Sequence, residues 1–335
     1  MRSLKYAIVG VAALALAAGC STGTPASPQA SGGSSAPAQQ QQQYNISFIQ
    51  GVIGDQFYIT MECGMRDAAK TAGNITLDVQ GPQKWGDDLQ IPIVTAVVAK
   101  KPDAMLIAPD STTGLQKPLA DASASGIKIG LVDTSLDDPS FAFTQISSDN
   151  LGGGKAAFEA LQQLVPDGGK VMVIDQRPGV STTDARREGF EEAVKADPKF
   201  EYIGVQYSQN EPSKAAQIVT ATLQKDPDLV GIFATNLFSA TGAATGIRQA
   251  DATGKVKVVG FDAGPDQVKA LQEDTVQAII AQQPYDIGQQ GIQQALKALA
   301  GEPTTKQVQT GFTIVTKDTL STPEGQAALY KSTCS

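Results

Sequence analysis

The stretch Val258-Val259-Gly260-Phe261-Asp262-Ala263-Gly264-Pro265-Asp266 ends a short apolar run on a carboxylate, with turn formers directly behind it. A charge at the end of a buried strand costs desolvation unless something pairs with it. Asp262 is therefore either the N-cap of a helix beginning near Pro265 or Asp266, or one wall of a ligand site. Polar or aromatic residues stand just past other apolar runs as well: Asp55, Phe57 and Tyr58, then Asp133, Asn236 and Gln282. Arg186 and Asn210 fall on the loops or helix starts between them. Acids, amides, one arginine and flat rings together suit a small neutral molecule rich in hydroxyls, a carbohydrate or polyol. Charged and amide groups pair with its hydroxyls, and the rings cover its C–H faces.

Each residue also has a plainer reading. Arg186 could pair with Glu188 or Glu191 on a solvated helix face. Phe57 or Tyr58 could be a core staple at a helix start. Trp85, the only tryptophan, could line a cleft or pack in a core.

Several chemistries are excluded. The chain has no histidine, which removes Ser-His-Asp and Cys-His catalysis and the commonest zinc ligand. No metal site and no cofactor is expected. "NLGGGKAA" lacks the first glycine of a phosphate loop and has Ala156 where Ser or Thr would hold magnesium. It reads as a helix start capped by Asp149. No G-x-G-x-x-G follows a strand, so no dinucleotide fold is indicated. An enzyme would have to work by carboxylates alone, as a glycosidase on Asp133 and Asp262. Nothing in the sequence sets their pKa values apart, so no catalytic residue is assigned.

These residues need elements to hold them. From Tyr44 onward, β-rich apolar runs alternate with helix-period segments, the pattern of parallel sheets covered by helices on both faces. Two such series follow one another, and the chain ends in a long amphipathic segment, "PYDIGQQGIQQALKALAG", and one extended run, "QVQTGFTIVT". With 335 residues there is length for two domains. Ligands of open parallel sheets bind beyond the carboxyl ends of the strands, which is where the polar set falls.

The first 20 residues, "MRSLKYAIVGVAALALAAGC", carry Arg2 and Lys5, then an apolar run too short to span a bilayer. The Ala17-Ala18-Gly19-Cys20 ending resembles a bacterial lipoprotein signal, which implies acylation at Cys20; ordinary secretion with cleavage nearby is the other reading. Residues 21–43 are only Ser, Thr, Gly, Pro, Ala and Gln and have nothing to bury, so 20–43 reads as a lipidated tether with a reach of roughly 25 Å. Loss of residues 1–19 takes the net charge from −8 to −10, which argues against nucleic acid as a partner. Cys63 and Cys334 remain, in an oxidising exported compartment. They form one disulfide or stay as two separate thiols.

The order of elements and the segments "QFYITMECGMRDAAKTAG", "SSDNLGGGKAA", "ARREGFEEAV", "GIFATN", "VVGFDAGPD" and "IIAQQPYDIG" resemble the ribose-type periplasmic sugar-binding proteins, over about Asn45 to Thr316. The resemblance implies a type I periplasmic binding fold: an α/β chain of two similar lobes, each a parallel sheet flanked by helices, joined by a three-crossover hinge near Ser147, Gln282 and Gly311. It implies an N-terminal lobe of 44–147 plus 283–311 and a C-terminal lobe of 148–282 plus 312–330. Asp133 and Asp262 match the family's hydroxyl-binding aspartates, Asn236 and Gln282 its amides, Arg186 its second-lobe arginine, and Phe57 and Tyr58 its aromatic pair. The chain departs at Thr134, where ribose binders have arginine, at Asn210, where they have an aromatic, and at Gly54-Asp55-Gln56, where they have Asn-Asn-Pro. The function implied is that of a monomeric extracytoplasmic receptor, lipid-anchored on the outer face of the bacterial cytoplasmic membrane. It would deliver a monosaccharide or sugar alcohol to an ABC permease. A carbohydrate sensor for a membrane signalling kinase is the alternative.

Overall fold

The computed structural model describes residues 42–334; the signal, Cys20 and nearly all of the tether lie outside them. Strands and helices alternate through β1 (Tyr44–Ile49), α1 (Gln56–Ala72), β2 (Ile75–Gln80), α2 (Asp87–Ala99), β3 (Ala104–Ile107), α3 (Gln116–Ala124), β4 (Lys128–Val132) and β5 (Thr144–Ser148). A second series follows: α4 (Asn150–Leu164), β6 (Gly169–Asp175), α5 (Ser181–Ala196), β7 (Phe200–Tyr207), α6 (Pro212–Lys225), β8 (Leu229–Ala234), α7 (Leu237–Gln249), β9 (Lys257–Phe261), α8 (Pro265–Gln272) and β10 (Ala278–Gln282). The chain closes with α9 (Pro284–Leu299), β11 (Gln307–Thr310), β12 (Phe312–Thr316) and α10 (Pro323–Ala327).

Two six-stranded sheets result, in the orders β11-β5-β4-β3-β1-β2 and β12-β10-β9-β8-β6-β7. The central strands are apolar on both faces because helices cover both; every residue of β3 is buried. The final extended run is divided at Gly311. β11 adds in parallel to β5 of the first sheet, and β12 adds antiparallel to β10 of the second. The second sheet is thus parallel with one antiparallel edge, since a strand entering directly from the other sheet has no helical crossover to turn it round.

Local signals explain the boundaries near the strand ends. Asp55 caps α1 by accepting the Phe57 N–H at 2.8 Å, and Gly73 ends that helix in the left-handed conformation at φ 75°. Asp149 caps α4 through the Gly152 N–H at 3.0 Å, as the sequence indicates. The remaining glycines of "NLGGGKAA" serve close packing. A Cβ on Gly154 would strike the Arg186 carbonyl oxygen on α5, and one on Gly153 would strike the Phe261 ring. Cys63 on α1 is disulfide-bonded to Cys334 across 271 positions, so the chain end is fixed to the first sheet's helix layer. Among the described residues no helix is long and apolar enough to cross a membrane.

Candidate functional site

The chain passes between the sheets at three places: after β5, after β10, and between β11 and β12. At the first two, Ser148 Oγ donates to Gln282 Oε1 at 2.7 Å, with Thr310 at the third 3.4 Å from the same hydroxyl. The carboxyl ends of the two sheets face one small cavity beside this junction. All nine residues proposed from the sequence line it, together with Trp85, Gln176, Thr182 and Thr183.

Asp133 and Asp262 enter the cavity by the same device. Each follows directly on a strand, β4 or β9, and each has a left-handed backbone, φ 64° and 78°. Their N–H groups bond to the neighbouring strand, Asp133 to Ile146 O at 2.8 Å and Asp262 to Ile280 O at 2.9 Å. A non-glycine residue rarely takes such a φ, and here the strand bond on one side and the carboxylate's partners on the other hold it there.

The Asp133 carboxylate accepts the Tyr58 hydroxyl at 2.7 Å. Burial pushes its pKa up to about 6, while Arg186 and the Tyr58 hydrogen bond pull it down. Asp262 accepts the Leu237 N–H at 2.8 Å on one oxygen, and Gln282 Nε2 at 2.6 Å and the Tyr330 hydroxyl at 2.9 Å on the other. It does not cap the helix that follows it, whose N-cap is Gly264. It sits instead at the N-terminus of α7, where a helix dipole and a free N–H favour an anion.

Asp55 is 7% exposed, and burial followed by the nearby Asp262 pushes its pKa up to about 8. Environment therefore sets Asp55 and Asp133 apart, which the sequence did not indicate. Burial outweighs the hydrogen bonds because the groups are withdrawn from water next to one another.

Arg186 is 2% exposed and does not pair with Glu188 or Glu191. It donates to Asn150 Oδ1 at 2.9 Å and to Thr235 O at 2.9 Å, and its guanidinium lies 3.8 Å from the Phe261 ring centroid. The next residue, Arg187, takes the glutamate, with Nη1 3.1 Å from Glu191 Oε1. One helical step of about 100° separates the inward from the outward guanidinium. Asn236 caps α7 through Ser239 N at 3.1 Å and donates Nδ2 to Asn210 Oδ1 at 2.6 Å. Asn210 is placed for this by its own left-handed backbone, φ 61°.

Phe57 and Tyr58 are 4% and 2% exposed and meet edge to face, 5.2 Å between centroids. Each serves packing and cavity wall at once. Trp85 reaches the cavity with its Nε1 donating to Asp110 O at 2.7 Å. A Cβ at Gly51 would overlap the Trp85 ring and the Tyr58 hydroxyl, so the ring is seated over bare backbone. Thr134, in the position of the arginine of ribose binders, turns away and donates to Pro109 O at 2.8 Å.

Residues missed from the sequence were partly readable. Gln176 follows directly on β6, the strand-end position used elsewhere, and Thr182 and Thr183 open α5 one turn before Arg186. Tyr330 carried no signal, because it comes from a tail outside both alternating series. Among the described residues no cluster of His, Cys, Asp and Glu could hold a metal ion. The arrangement offers carboxylates, amides, hydroxyls, a guanidinium and rings in a buried space, groups able to hydrogen-bond to a polar molecule and to cover its apolar faces.

Comparison with known proteins agrees with this geometry. The family model described as periplasmic binding protein domain matches residues 46–303. The D-allose-binding periplasmic protein of Escherichia coli is 30% identical over 72% of this chain and 79% of its own length. A ribose import binding protein of Haemophilus influenzae is 28% identical over 85% of this chain and 94% of its own. An ABC transporter solute-binding protein from Agrobacterium vitis, solved with α-D-tagatopyranose bound, superposes with a TM-score of 0.84 at 38% identity, covering 86% of this chain and 100% of that one. A fold of two helix-flanked sheets, a polar cavity at their strand ends and these relatives together establish that the chain belongs to the ribose-type periplasmic sugar-binding family of ABC-transporter solute-binding proteins.

Proposed function

We propose that this protein captures a neutral monosaccharide or sugar alcohol between its two lobes, 44–147 plus 283–311 and 148–282 plus 312–330, and delivers it to an ABC permease. The observation that carries the reading is the cavity itself: Asp55, Asp133 and Asp262 share it with one guanidinium, four amide side chains and three rings. Hydroxyl groups donate to carboxylates and accept from Arg186 and the amides, so a polyol satisfies both kinds of partner. An anionic ligand would add charge to a site already rich in acids. The absence of arginine at Thr134 and of a ring at Asn210 argues against ribose itself and for a sugar of different hydroxyl pattern.

The export signal ending at Cys20 supports a receptor lipid-anchored on the outer face of the membrane. A thermal-shift panel of D-tagatose, D-allose, D-ribose, D-fucose, D-arabinose, galactitol and myo-inositol tests the substrate class. A sugar at a hundred times its Kd adds about 2.7 kcal/mol of stability, which such a scan detects. Stabilisation by at least one of these compounds is expected. Stabilisation only by amino acids, anions or nucleobases would overturn the reading. Mass spectrometry of the membrane fraction, looking for an acylated Cys20 peptide, tests the anchor.

A further inference from the structure

We propose that the C-terminal tail is a working part of the binding site: Tyr330, held in place by the disulfide-bonded residues that follow it, positions the Asp262 carboxylate for the sugar. The inference rests on the sugar-binding reading of the cavity and adds a positioning residue to it.

Tyr330 is 7% exposed and is fixed to the second sheet at two points. Its N–H donates to Ala263 O at 3.0 Å, and its hydroxyl lies 2.9 Å from Asp262 Oδ1 and 3.0 Å from the Gln282 backbone nitrogen. The direction of these bonds is forced. The Gln282 N–H can only donate, so the phenol oxygen accepts there and its own proton goes to Asp262. With both roles used, Tyr330 acts on a ligand through Asp262 and not directly.

The next residues leave the second sheet for α1. Lys331 N donates to Thr60 Oγ1 at 2.7 Å, and Cys334 is bonded to Cys63 on the same helix. The first turn of α1 carries Phe57, whose ring lies 6.0 Å from that of Tyr330, and begins directly after Asp55. Four peptide units from Tyr330 to Cys334 span at most roughly 14 Å, so the disulfide confines the phenol to the neighbourhood of the cavity. A polar chain end would otherwise fray. Without Tyr330 the Asp262 carboxylate keeps the Leu237 N–H on one oxygen and Gln282 Nε2 on the other, so two donors orient it instead of three, a loss of pre-organisation that weakens binding.

Two measurements on the full, oxidised protein test this. In titration calorimetry with D-tagatose and D-allose, Tyr330→Phe is expected to raise Kd about tenfold, the scale of one hydrogen bond to a charged group. In an Asp262→Ala background the same change should cost nothing further, because the partner it acts through is gone. Wild-type affinity in Tyr330→Phe, or losses that simply add in the double variant, would overturn the positioning role.

Amide exchange in the sugar-free protein supplies the second measurement. The Gln282 amide should exchange faster in Tyr330→Phe, and also in the double variant Cys63→Ser with Cys334→Ser, whereas wild-type rates in both would overturn the proposal. If no sugar of the thermal-shift panel binds the wild-type protein, the sugar-binding reading has failed at that point, and the exchange result alone decides whether the tail holds Tyr330 on Asp262 and Gln282.

Discussion

Ser148 and Gln282, 134 positions apart in the chain, meet where two of the three connections between the sheets pass side by side, the Ser148 hydroxyl donating to Gln282 Oε1 at 2.7 Å. Gln282 turns its amide nitrogen to Asp262 at 2.6 Å, so one side chain joins the junction to the site.

Removing the hydroxyl should therefore be felt in both places. Ser148→Ala leaves a buried carbonyl oxygen with no protein donor, a cost of about 1–3 kcal/mol. Urea denaturation should show the midpoint falling with the slope unchanged. The affinity for a panel sugar should fall as well, since Gln282 no longer has a fixed orientation.

The raised pKa of Asp55 makes stability depend on pH in a defined direction. The carboxyl titrates near its usual value of 3.8 when unfolded and at about 8 when folded, so between those values the folded protein holds the extra proton. Stability from this group is fully present below about pH 4 and is lost as pH rises through about 8. Asp133, raised to about 6, adds the same trend over a narrower window. The melting temperature of the sugar-free protein should decline from pH 5 to pH 9, and Asp55→Asn should flatten the upper part of that decline. An unchanged profile in the variant would assign the dependence to other groups.

Asp262→Asn should weaken sugar binding by roughly 1.5–3 kcal/mol, the scale of a hydrogen bond to a charged group. The structure adds a cost in the sugar-free protein. Asp262 receives donors on both oxygens, Leu237 N–H on one and Gln282 Nε2 and the Tyr330 hydroxyl on the other, so an asparagine must turn its own NH₂ toward at least one donor. Calorimetry for binding and chemical denaturation for stability should both register the change.

Gly154→Ala tests how the helix layer aims Arg186. The added methyl would collide with the Arg186 carbonyl oxygen, so α4 and α5 must move apart. Overpacking of this kind costs about 1–3 kcal/mol. Because Arg186 rides on the shifted helix, its guanidinium should leave its stack on Phe261 and sugar affinity should drop with stability. A loss of stability with full affinity would show that the cavity adjusts independently of α5.

Much of this molecule could be read from its residues. The alternation of apolar runs with helix-period segments specifies helix-flanked parallel sheets, because a strand buried on both faces must be apolar throughout and its neighbours must cross over. The polar residues at the strand ends mark the cavity for a related reason: a carboxylate such as Asp262 tolerates the end of a buried strand only when partners are provided. The family segments pointed to the same positions.

What the sequence could not express is how partners far apart in the chain divide those groups among themselves. Arg186 and Arg187 are adjacent and chemically alike, and only the packing of α5 on α4 decides which one enters the cavity and which one meets Glu191. "QVQTGFTIVT" is continuous in pattern, yet its halves join different sheets, since the periodicity of a strand does not name its neighbour. Asp55 has an ordinary side chain whose proton affinity is set by burial and by Asp262, 207 positions away. Tyr330 reaches Asp262 only because the chain end folds back and bonds to α1. Local pattern reports which residues must be buried or turned, because those preferences belong to short stretches of chain; hydrogen-bond partners and pKa values depend on distances in space, which only the folded chain defines.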